Sequence, residues 1–204
     1  MKSFIYGTGN SAKLQYMRKS LTPLAIEIIG INEISATLPI IEESGNSPLE
    51  NARIKALAYY AALKQPVFAC DSGLYIDGLS DDEQPGLHIR RVGNRTLNDE
   101  EMTAHYAKVA SGLGGKAKAS YKNAICLVIS EEVIYEHFGD DISGEEFYLV
   151  DKPHPKRVEG FPLDCISARI DDGAYYYDYE RDSVASGDMA IGFQEFFYQV
   201  MKRR

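Results

Sequence analysis

The sequence predicts a mixed α/β protein in which long strands form a mixed sheet flanked by helices, with two lobes around a central cleft. Short apolar runs alternate with capped helices in the first half of the chain. In the second half the apolar run 124–129 resumes at 133–135, which favours long antiparallel strands over a purely parallel sheet. With 204 residues and 45% apolar content, the chain can bury the core of a single domain over 1–204.

The first element is the short apolar strand Ser3-Phe4-Ile5-Tyr6, which runs into the loop Gly7-Thr8-Gly9-Asn10 and then into a helix. Glycines let the backbone approach an anion, and a helix N-terminus offers N–H groups to it. This strand, loop and helix therefore have the geometry of a phosphate-binding loop.

The same loop has three interpretations. As Gly7-x-Gly9-x-x-Ala12 it fits the dinucleotide fingerprint, with Glu33 beyond a second strand at 25–31 as the ribose acid. As Thr8-Gly9-Asn10-x-x-Lys13 it is a triphosphate cradle to which the lysine adds a point charge. It can also be an ordinary strand, turn and helix. The regular βαβαβ alternation that a dinucleotide domain requires does not follow.

A second helix begins after Ser47, which is its predicted N-cap, with Pro48 at the first helical position and Glu50 three residues after the cap. Its apolar positions recur at spacings of three and four. Asn51 and Lys55 lie one turn apart on the opposite edge, so we expect this edge to face the cleft.

Two acidic corners flank this helix. Glu42-Glu43-Ser44-Gly45 precedes it, and after it the apolar run 67–70 is predicted to be a buried strand that ends at Asp71-Ser72-Gly73. Helix and strand return the chain close to Glu42 and Glu43, so carboxylates can meet around Lys55. Carboxylates in this arrangement hold Mg²⁺.

Further strands and helices are predicted after the second acidic corner. A strand at 74–77 is followed by a turn at Pro85-Gly86 that leads to Arg90. Asn98 caps a helix with an acidic first turn that reaches Gly112. Residues 160–166 form a turn that enters a strand, and a final helix from Asp188 buries an apolar face.

The charge and the composition of the chain limit the kinds of partner that we expect it to bind. A net charge of −8 disfavours binding to a nucleic-acid backbone, and no apolar run approaches the length of a membrane span. The three cysteines, Cys70, Cys126 and Cys165, share no metal-ligand spacing, so we expect reduced thiols in a cytoplasmic protein. The N-terminus has no apolar region of signal-peptide length.

Several motifs together resemble the inosine-triphosphate pyrophosphatase family. They occur in family order over about the first half of the chain, and they are Thr8-Gly9-Asn10-x-x-Lys13, Glu42-Glu43-x-Gly45, Glu50-Asn51-Ala52-x-x-Lys55-Ala56, Asp71-Ser72-Gly73-Leu74, Pro85-Gly86 and Arg90. The resemblance implies a single nucleoside-triphosphate pyrophosphatase-like domain. Such a domain hydrolyses non-standard purine nucleoside triphosphates to the monophosphate and pyrophosphate.

The resemblance also implies roles for individual residues. Mg²⁺ would be held by Glu42 or Glu43 and by Asp71, and catalysis would use Asp71 and Lys55. The substrate-binding residues would be Thr8, Gly9, Asn10, Lys13, Asn51, Ser72, Arg90, Phe161, Asp164, Ser186 and Asp188. We further expect a cytoplasmic homodimer that binds neither nucleic acid nor membrane.

The second half departs from the family pattern. Gly160-Phe161-x-x-Asp164 is similar to the Gly-Phe-Gly-Tyr-Asp-Pro segment of the family, whereas Ser186-Gly187-Asp188 stands where the family has Ser-His-Arg. Cys70 stands where most relatives have an acid. These departures favour, as the alternative, a nucleotide-binding protein of the same fold that has lost turnover or changed its base specificity.

Overall fold

A computed structural model of the protein describes residues 2–179 and 188–203. The chain divides into two compact units. The first unit consists of Met1–Ser72, Lys122–Gly144 and Ala185–Arg204, and the second of Gly73–Tyr121 and Glu145–Val184. Each unit is therefore built from segments that are distant in the sequence.

A seven-stranded mixed sheet confirms the predicted fold class. Its strands are β1 (Lys2–Tyr6), β2 (Ile26–Gly30), β3 (Val67–Ile76), β6 (Lys116–Val128), β7 (Ile134–Phe138), β8 (Phe147–Val150) and β9 (Ser167–Ala168), in the order β2-β1-β3-β6-β8-β9, with β7 paired to β6. β1 is parallel to β2 and β3, whereas β6 is antiparallel to β7 and β8. Helices separate the three parallel strands in the sequence, so the first half does have a βαβαβ alternation, and the expectation that it lacks one is wrong. A separate hairpin joins β4 (Arg91–Val92) to β5 (Arg95–Thr96). The antiparallel strands predicted at 124–129 and 133–135 are β6 and β7.

The described residues contain four α-helices, and the second and third of them start directly after the predicted caps Ser47 and Asn98. They are α1 (Ser11–Leu21), α2 (Pro48–Leu63), α3 (Asp99–Gly112) and α4 (Asp188–Lys202). Ser47 Oγ accepts the Glu50 N–H at 3.2 Å, as predicted. Glu50 Oε2, however, accepts the N–H of Asn46 at 2.7 Å, one residue before the cap, so the box is displaced by one residue.

β3 corrects one prediction. The sequence predicts a strand that ends at Asp71 and another that begins at Leu74, but the structure has one ten-residue strand, so Asp71 lies in its middle. Gly73 does not end the strand, because Leu74 exchanges two backbone hydrogen bonds with Gly86 (2.9 and 3.0 Å). A Cβ on Gly73 would lie 3.1 Å from Tyr75 Cε2 and 3.4 Å from the Gly86 carbonyl oxygen, so glycine here leaves room for the approach of the Tyr75 ring and the Gly86 backbone.

Aromatic side chains dominate the core of the first unit. Phe197 of α4 lies 5.3 Å from Phe4 and 5.1 Å from Phe68, measured between ring centroids, and Tyr6 stacks on Phe68 at 4.5 Å. Phe193, Phe197 and Val200 are buried, as the apolar face of the last helix predicts. This core anchors β1 and β3, which carry the loop after Tyr6 and the acid at Asp71.

The core of the second unit lies between α3 and its strands. Leu74, Ile76, Met102, Tyr106 and Leu149 are buried together. Tyr106 also donates its hydroxyl to the Ile89 carbonyl at 2.9 Å, which ties α3 to the turn before Arg90. Among the described residues, no helix is both long enough and apolar enough to cross a membrane.

Candidate functional site

The loop after β1 is held by its own side chains. Asn10 is the N-cap of α1, and its Oδ1 accepts the N–H groups of Ala12 at 2.9 Å and Lys13 at 3.1 Å. Thr8 Oγ1 accepts the Asn10 N–H at 3.2 Å. The predicted strand, loop and helix are therefore present, and the Asn10 side chain orders the loop.

The two glycines of this loop have different surroundings. A Cβ on Gly7 would lie 2.6 Å from Tyr59 Cδ2, so Gly7 allows α2 to pack against the loop. A Cβ on Gly9 would meet no atom within 4 Å. Only Gly9 therefore offers backbone with open space beside it for an anion.

Glu33, the acid that the dinucleotide interpretation requires, has a structural role here. Its Oε2 accepts the Gly30 N–H at 2.9 Å and pairs with Arg18 Nη2 at 2.6 Å. These contacts fix the turn after β2. They favour the triphosphate interpretation of the loop over the dinucleotide interpretation.

Lys55 lies between two carboxylates. Its Nζ is 3.0 Å from Asp71 Oδ1 and 3.5 Å from Glu43 Oε2. The side chains of Lys55 and Asp71 are each 13% exposed, whereas that of Glu43 is 44% exposed. The structure therefore brings together Glu43, Lys55 and Asp71, as the sequence predicts.

Small side chains make this contact possible. Ala52 and Ala56 of α2 are fully buried against Ala69 of β3. Alanine side chains end at Cβ, so the helix backbone lies close to the strand. Lys55 is one turn from Ala52 on the same helix and can reach Asp71, two residues after Ala69 on the strand.

Lys13 belongs to the same charged group. Burial lowers the pKa of its ammonium below the ordinary value, and the nearby charge of Lys55 lowers it further. Asp71, Cys70 and Glu43 act in the opposite direction. Two lysines and two carboxylates thus influence one another within the first unit.

Asp71 has a second oxygen with unused bonding capacity. Its Oδ2 is buried and has no hydrogen-bond partner among residues 2–179 and 188–203. A buried acceptor without a partner is unfavourable by about 1–3 kcal/mol, so such atoms are uncommon outside functional sites. A carboxylate oxygen is the donor type that Mg²⁺ prefers.

The donor set fits a magnesium ion that is shared with a substrate. Mg²⁺ is commonly held by one or two carboxylates together with phosphate oxygens and water. Asp71 and Glu43 supply two carboxylates, and Glu42 is exposed beside them. In the part of the chain that the structure describes, no three His, Cys, Asp or Glu residues are grouped closely enough to hold a metal alone.

Asn51 lies elsewhere than the sequence suggests. It is 2% exposed, and its Oδ1 accepts the Gly45 N–H at 2.8 Å. A Cβ on Gly45 would lie 2.7 Å from that oxygen. Asn51 therefore holds the acidic corner next to Glu43 instead of presenting its amide on an exposed edge, and its contact with substrate stays a prediction.

Cys70 and Ser72 are both half-buried in β3. Side chains alternate along a strand, so both lie on the face opposite Asp71. Burial raises the pKa of Cys70 to about 12, and Tyr6, Lys13 and Lys55 reduce that rise. The thiol is therefore protonated at neutral pH.

Arg90, Phe161 and Asp164 lie in the second unit. Arg90 Nη2 pairs with Asp99 Oδ1 at 2.7 Å, and Asp99 Oδ2 accepts the Gly160 N–H at 2.8 Å. Phe161 and Asp164 are half-buried.

The sequence analysis missed Asp99. It lies in an acidic first turn with Glu100 and Glu101, where carboxylates are ordinary, and no local signal separates it from its neighbours. Of the other predicted residues, Ser186 lies outside the described residues, and Asp188 is described only as the first residue of α4.

Several proteins with sequences similar to this chain share one name, dITP/XTP pyrophosphatase. A dITP/XTP pyrophosphatase of Rhodopseudomonas palustris is 42% identical over 127 residues, which are 60% of this chain and 59% of the relative. One of Bradyrhizobium diazoefficiens is 31% identical over 136 residues (65% and 63%), and one of Bacillus subtilis is 34% identical over 136 residues (65% and 66%). The chain thus spans about three fifths to two thirds of the length of these relatives.

Solved structures agree on the fold. A HAM1 protein from Coxiella burnetii has a TM-score of 0.74 at 24% identity, with all of both chains covered. The Ham1 protein of Staphylococcus aureus has a TM-score of 0.70 at 21% identity, with 98% of this chain and 100% of that chain covered. The profile of the Ham1 family matches residues 4–166, well over half of the sequence. The chain belongs to the Ham1 family.

Proposed function

We propose that this protein hydrolyses non-standard purine nucleoside triphosphates to the nucleoside monophosphate and pyrophosphate, with Mg²⁺ as the cofactor. The observation that carries the proposal is the buried pair of Lys55 and Asp71, in which Asp71 Oδ2 has no partner among the described residues. The names of the relatives, dITP/XTP pyrophosphatases, support the choice of base class.

Binding of the triphosphate would use positive charge and backbone. Lys13 lies close enough to Lys55 for the charge of Lys55 to lower the pKa of Lys13, and Gly9 has open space beside it. A phosphate contacted by two ammonium groups gains charge-assisted hydrogen bonds and relieves the repulsion between the lysines. These contacts do not depend on the base, so they would serve all triphosphates alike.

Asp71 and Glu43 would hold the metal. Mg²⁺, when bound, supplies positive charge that stabilises the phosphate oxygens as negative charge develops on them. Lys55 keeps a cation 3.0 Å from Asp71 Oδ1, on the oxygen opposite the one without a partner among the described residues.

The carboxylate of Asp71 is our choice for the general base. It would orient a water molecule and accept its proton as the oxygen attacks the α-phosphorus. The bond from that phosphorus to the oxygen bridging to the β-phosphate breaks, and pyrophosphate leaves. Asn51 would contribute by holding the Gly45 corner next to Glu43.

Recognition of the base would fall to the second unit and to the segment before α4. Phe161 offers an aromatic ring, Asp164 an acceptor and Arg90 a donor. Ser186 and Asp188 occupy the positions of the Ser-His-Arg segment of the family, without its two basic side chains. We therefore expect a weaker preference for inosine and xanthosine triphosphates than in relatives that have those side chains.

The test is a pyrophosphate-release assay over a panel of nucleoside triphosphates with Mg²⁺, repeated with excess EDTA. We expect release with Mg²⁺, none with EDTA, and a loss of about 10²-fold or more in Asp71→Asn. Asp82→Asn, which changes an exposed acid in the second unit, is the matched control. Turnover of Asp71→Asn at the rate of the unmodified protein would refute the assignment.

The second candidate is a protein that binds nucleotides without turning them over. The neutral thiol of Cys70, next to Asp71, favours it, since the family pattern that the sequence resembles has an acid at this position. Calorimetry with inosine triphosphate and Mg²⁺ distinguishes the two, because binding without release of pyrophosphate would support this candidate. A cytoplasmic homodimer stays our prediction, and sedimentation equilibrium tests the dimer.

A further inference from the structure

The first turn of α3 contacts the segment 160–164, which contains Phe161 and Asp164. Asp99 Oδ2 accepts the Gly160 N–H at 2.8 Å, and Thr103 Oγ1 donates to the Pro162 carbonyl at 2.8 Å. The two bonds lie on either side of Phe161. They are long-range contacts, since the bonded residues are 61 and 59 positions apart in the sequence.

Asp99 bonds a second group with its other oxygen. Arg90 Nη2 lies 2.7 Å from Asp99 Oδ1, and the Arg90 carbonyl accepts the Leu97 N–H at 2.7 Å. One carboxylate therefore joins Arg90 to Gly160. All of these residues belong to the second unit.

The contacts of the Asp99 side chain are not explained by capping of α3. Asn98 Oδ1 accepts the Glu101 N–H at 2.9 Å, and Glu101 Oε2 accepts the Asn98 N–H at 3.0 Å, so the capping box is complete without it. Thr103 is 5% exposed although its hydroxyl is polar. The Asp99 carboxylate contacts the segment 160–164, and the Thr103 hydroxyl lies 2.8 Å from the Pro162 carbonyl and 3.0 Å from the Asp99 carbonyl, so the shorter contact is to that segment.

The backbone at Gly160 suits this contact. Its φ of +83° lies in the left-handed region, which glycine adopts without strain. In this conformation its N–H meets Asp99 Oδ2. Residue 160 thus combines an unusual backbone conformation with a charge-assisted hydrogen bond.

The charge state of Asp99 suits both contacts. Burial on its own would raise the pKa of its carboxyl, but the Gly160 N–H and the Arg90 guanidinium outweigh burial and bring the pKa below the ordinary value. Asp99 is therefore ionised at neutral pH, and both of its oxygens are acceptors.

We propose that Asp99 is a positioning residue, supported by Thr103, which sets Arg90 and the segment 160–164 in the arrangement that binds the nucleoside part of the substrate. This inference rests on the proposed function. Asp99 does not touch the phosphates or the metal in this proposal. Its loss should therefore raise KM and lower the discrimination between bases, and leave kcat nearly unchanged.

The test uses two substitutions. Asp99→Asn replaces one acceptor by a donor, so either Gly160 or Arg90 loses its bond. Thr103→Val removes the hydroxyl at nearly constant volume and leaves the Pro162 carbonyl with the Cys165 thiol alone, which lies at 3.2 Å. We expect Asp99→Asn to raise KM for inosine triphosphate by about 10- to 100-fold, with kcat within about threefold.

The matched control is Arg95→Gln. Arg95 forms an exposed ion pair with Glu101 at 2.6 Å, in the same first turn, and it does not contact the segment 160–164 in the structure. KM and kcat should both stay within about twofold of the unmodified protein. Hydrogen–deuterium exchange of the peptide 157–166 in nucleotide-free protein gives a readout independent of activity. It should be faster in both test variants and unchanged in the control.

The outcomes separate this inference from the proposed function. If the unmodified protein releases pyrophosphate but Asp99→Asn leaves KM unchanged, the inference is overturned. It is also overturned if Asp99→Asn lowers kcat and kcat/KM by the same factor and also lowers the melting temperature. That result would indicate a merely structural role. If the unmodified protein has no turnover, the proposed function fails. Calorimetry then tests the positioning role by itself. Weaker nucleotide binding by Asp99→Asn supports that role, and binding equal to that of the unmodified protein overturns it. If Asp99→Asn does not fold, the same measurements on Thr103→Val decide.

Discussion

Replacing Lys55 by methionine tests the energetics of the charged group directly. Methionine keeps a side chain of similar length but removes the ammonium that lies 3.0 Å from Asp71 Oδ1. Since Oδ2 already has no partner among the described residues, both oxygens of a carboxylate that is 13% exposed would then be unpaired. The variant therefore leaves the Asp71 carboxylate without its direct ion-pair partner in a mostly dry position, although the charge of Lys13 still acts on it.

The magnitude follows from the burial. Removing one partner of a buried ion pair is unfavourable by about 3–5 kcal/mol, and the residual exposure of Asp71 favours the lower end, about 3 kcal/mol. The contact of Lys55 with the exposed Glu43 adds less than about 1 kcal/mol. For a chain of this length, about 3 kcal/mol corresponds to a decrease in melting temperature of about 6–12 °C.

Urea denaturation in the presence of EDTA measures the effect. The double variant Lys55→Met with Asp71→Asn should recover most of the lost free energy of unfolding, because it removes the charge that the single variant leaves unpaired. The coupling free energy of the double-mutant cycle should be at least about 2 kcal/mol.

Lys64→Met is the matched control. Lys64 pairs with Glu131 at 2.8 Å, but these side chains are 61% and 76% exposed. The same substitution there should change the free energy of unfolding by less than about 1 kcal/mol. If Lys55→Met is no more destabilising than Lys64→Met, or if the double variant is as unstable as the single one, the burial argument is refuted.

Three further predictions concern the loop, the lysine after it and the acidic corner. Lys13→Ala should weaken inosine, adenosine and guanosine triphosphates alike, by about 1.5–3 kcal/mol in kcat/KM, and a change in base preference larger than the change in efficiency would contradict its placement on the phosphates. Gly7→Ala should destabilise the fold by about 1–3 kcal/mol in thermal denaturation, because its Cβ would lie 2.6 Å from the Tyr59 ring, and a neutral result would show that the ring moves freely. Asn51→Leu should lower the free energy of unfolding by about 1–3 kcal/mol, since the Gly45 N–H loses its partner; unchanged stability would indicate that water replaces the amide.

Local chemistry made the helix starts predictable. An N-cap and its partner are three residues apart, so Ser47 with Glu50 and Asn98 with Glu101 can be recognised without knowing the fold. The loop from Gly7 to Asn10 follows the same logic, because strand, glycines and cap are consecutive. The apolar face of α4 was predictable because a helix repeats every 3.6 residues.

Other features depend on partners that are distant in the sequence. The continuity of β3 through Gly73 depends on Gly86, whose backbone bonds Leu74, and a glycine that permits close approach looks in the sequence like one that ends a strand. Asn51 was predicted to lie on an exposed edge, but its partner is the Gly45 N–H, six residues earlier in a loop without regular structure.

The sequence by itself determined the residue types of the charged group and the elements that carry them. It predicted Lys55 on a helix and Asp71 at the end of the following strand, and the motifs around them indicated the family. The tertiary structure decided which atoms meet: alanines bring α2 close to β3, and Asp71 keeps one oxygen without a partner among the described residues. It also brought the Asp99 carboxylate to the Gly160 N–H, which lies 61 positions later in the sequence. Helix caps and helical periodicity involve residues a few positions apart in the sequence, so they can be predicted from it. Tertiary hydrogen bonds and burial join residues that are close in space but distant in the sequence, so only the folded chain reveals them.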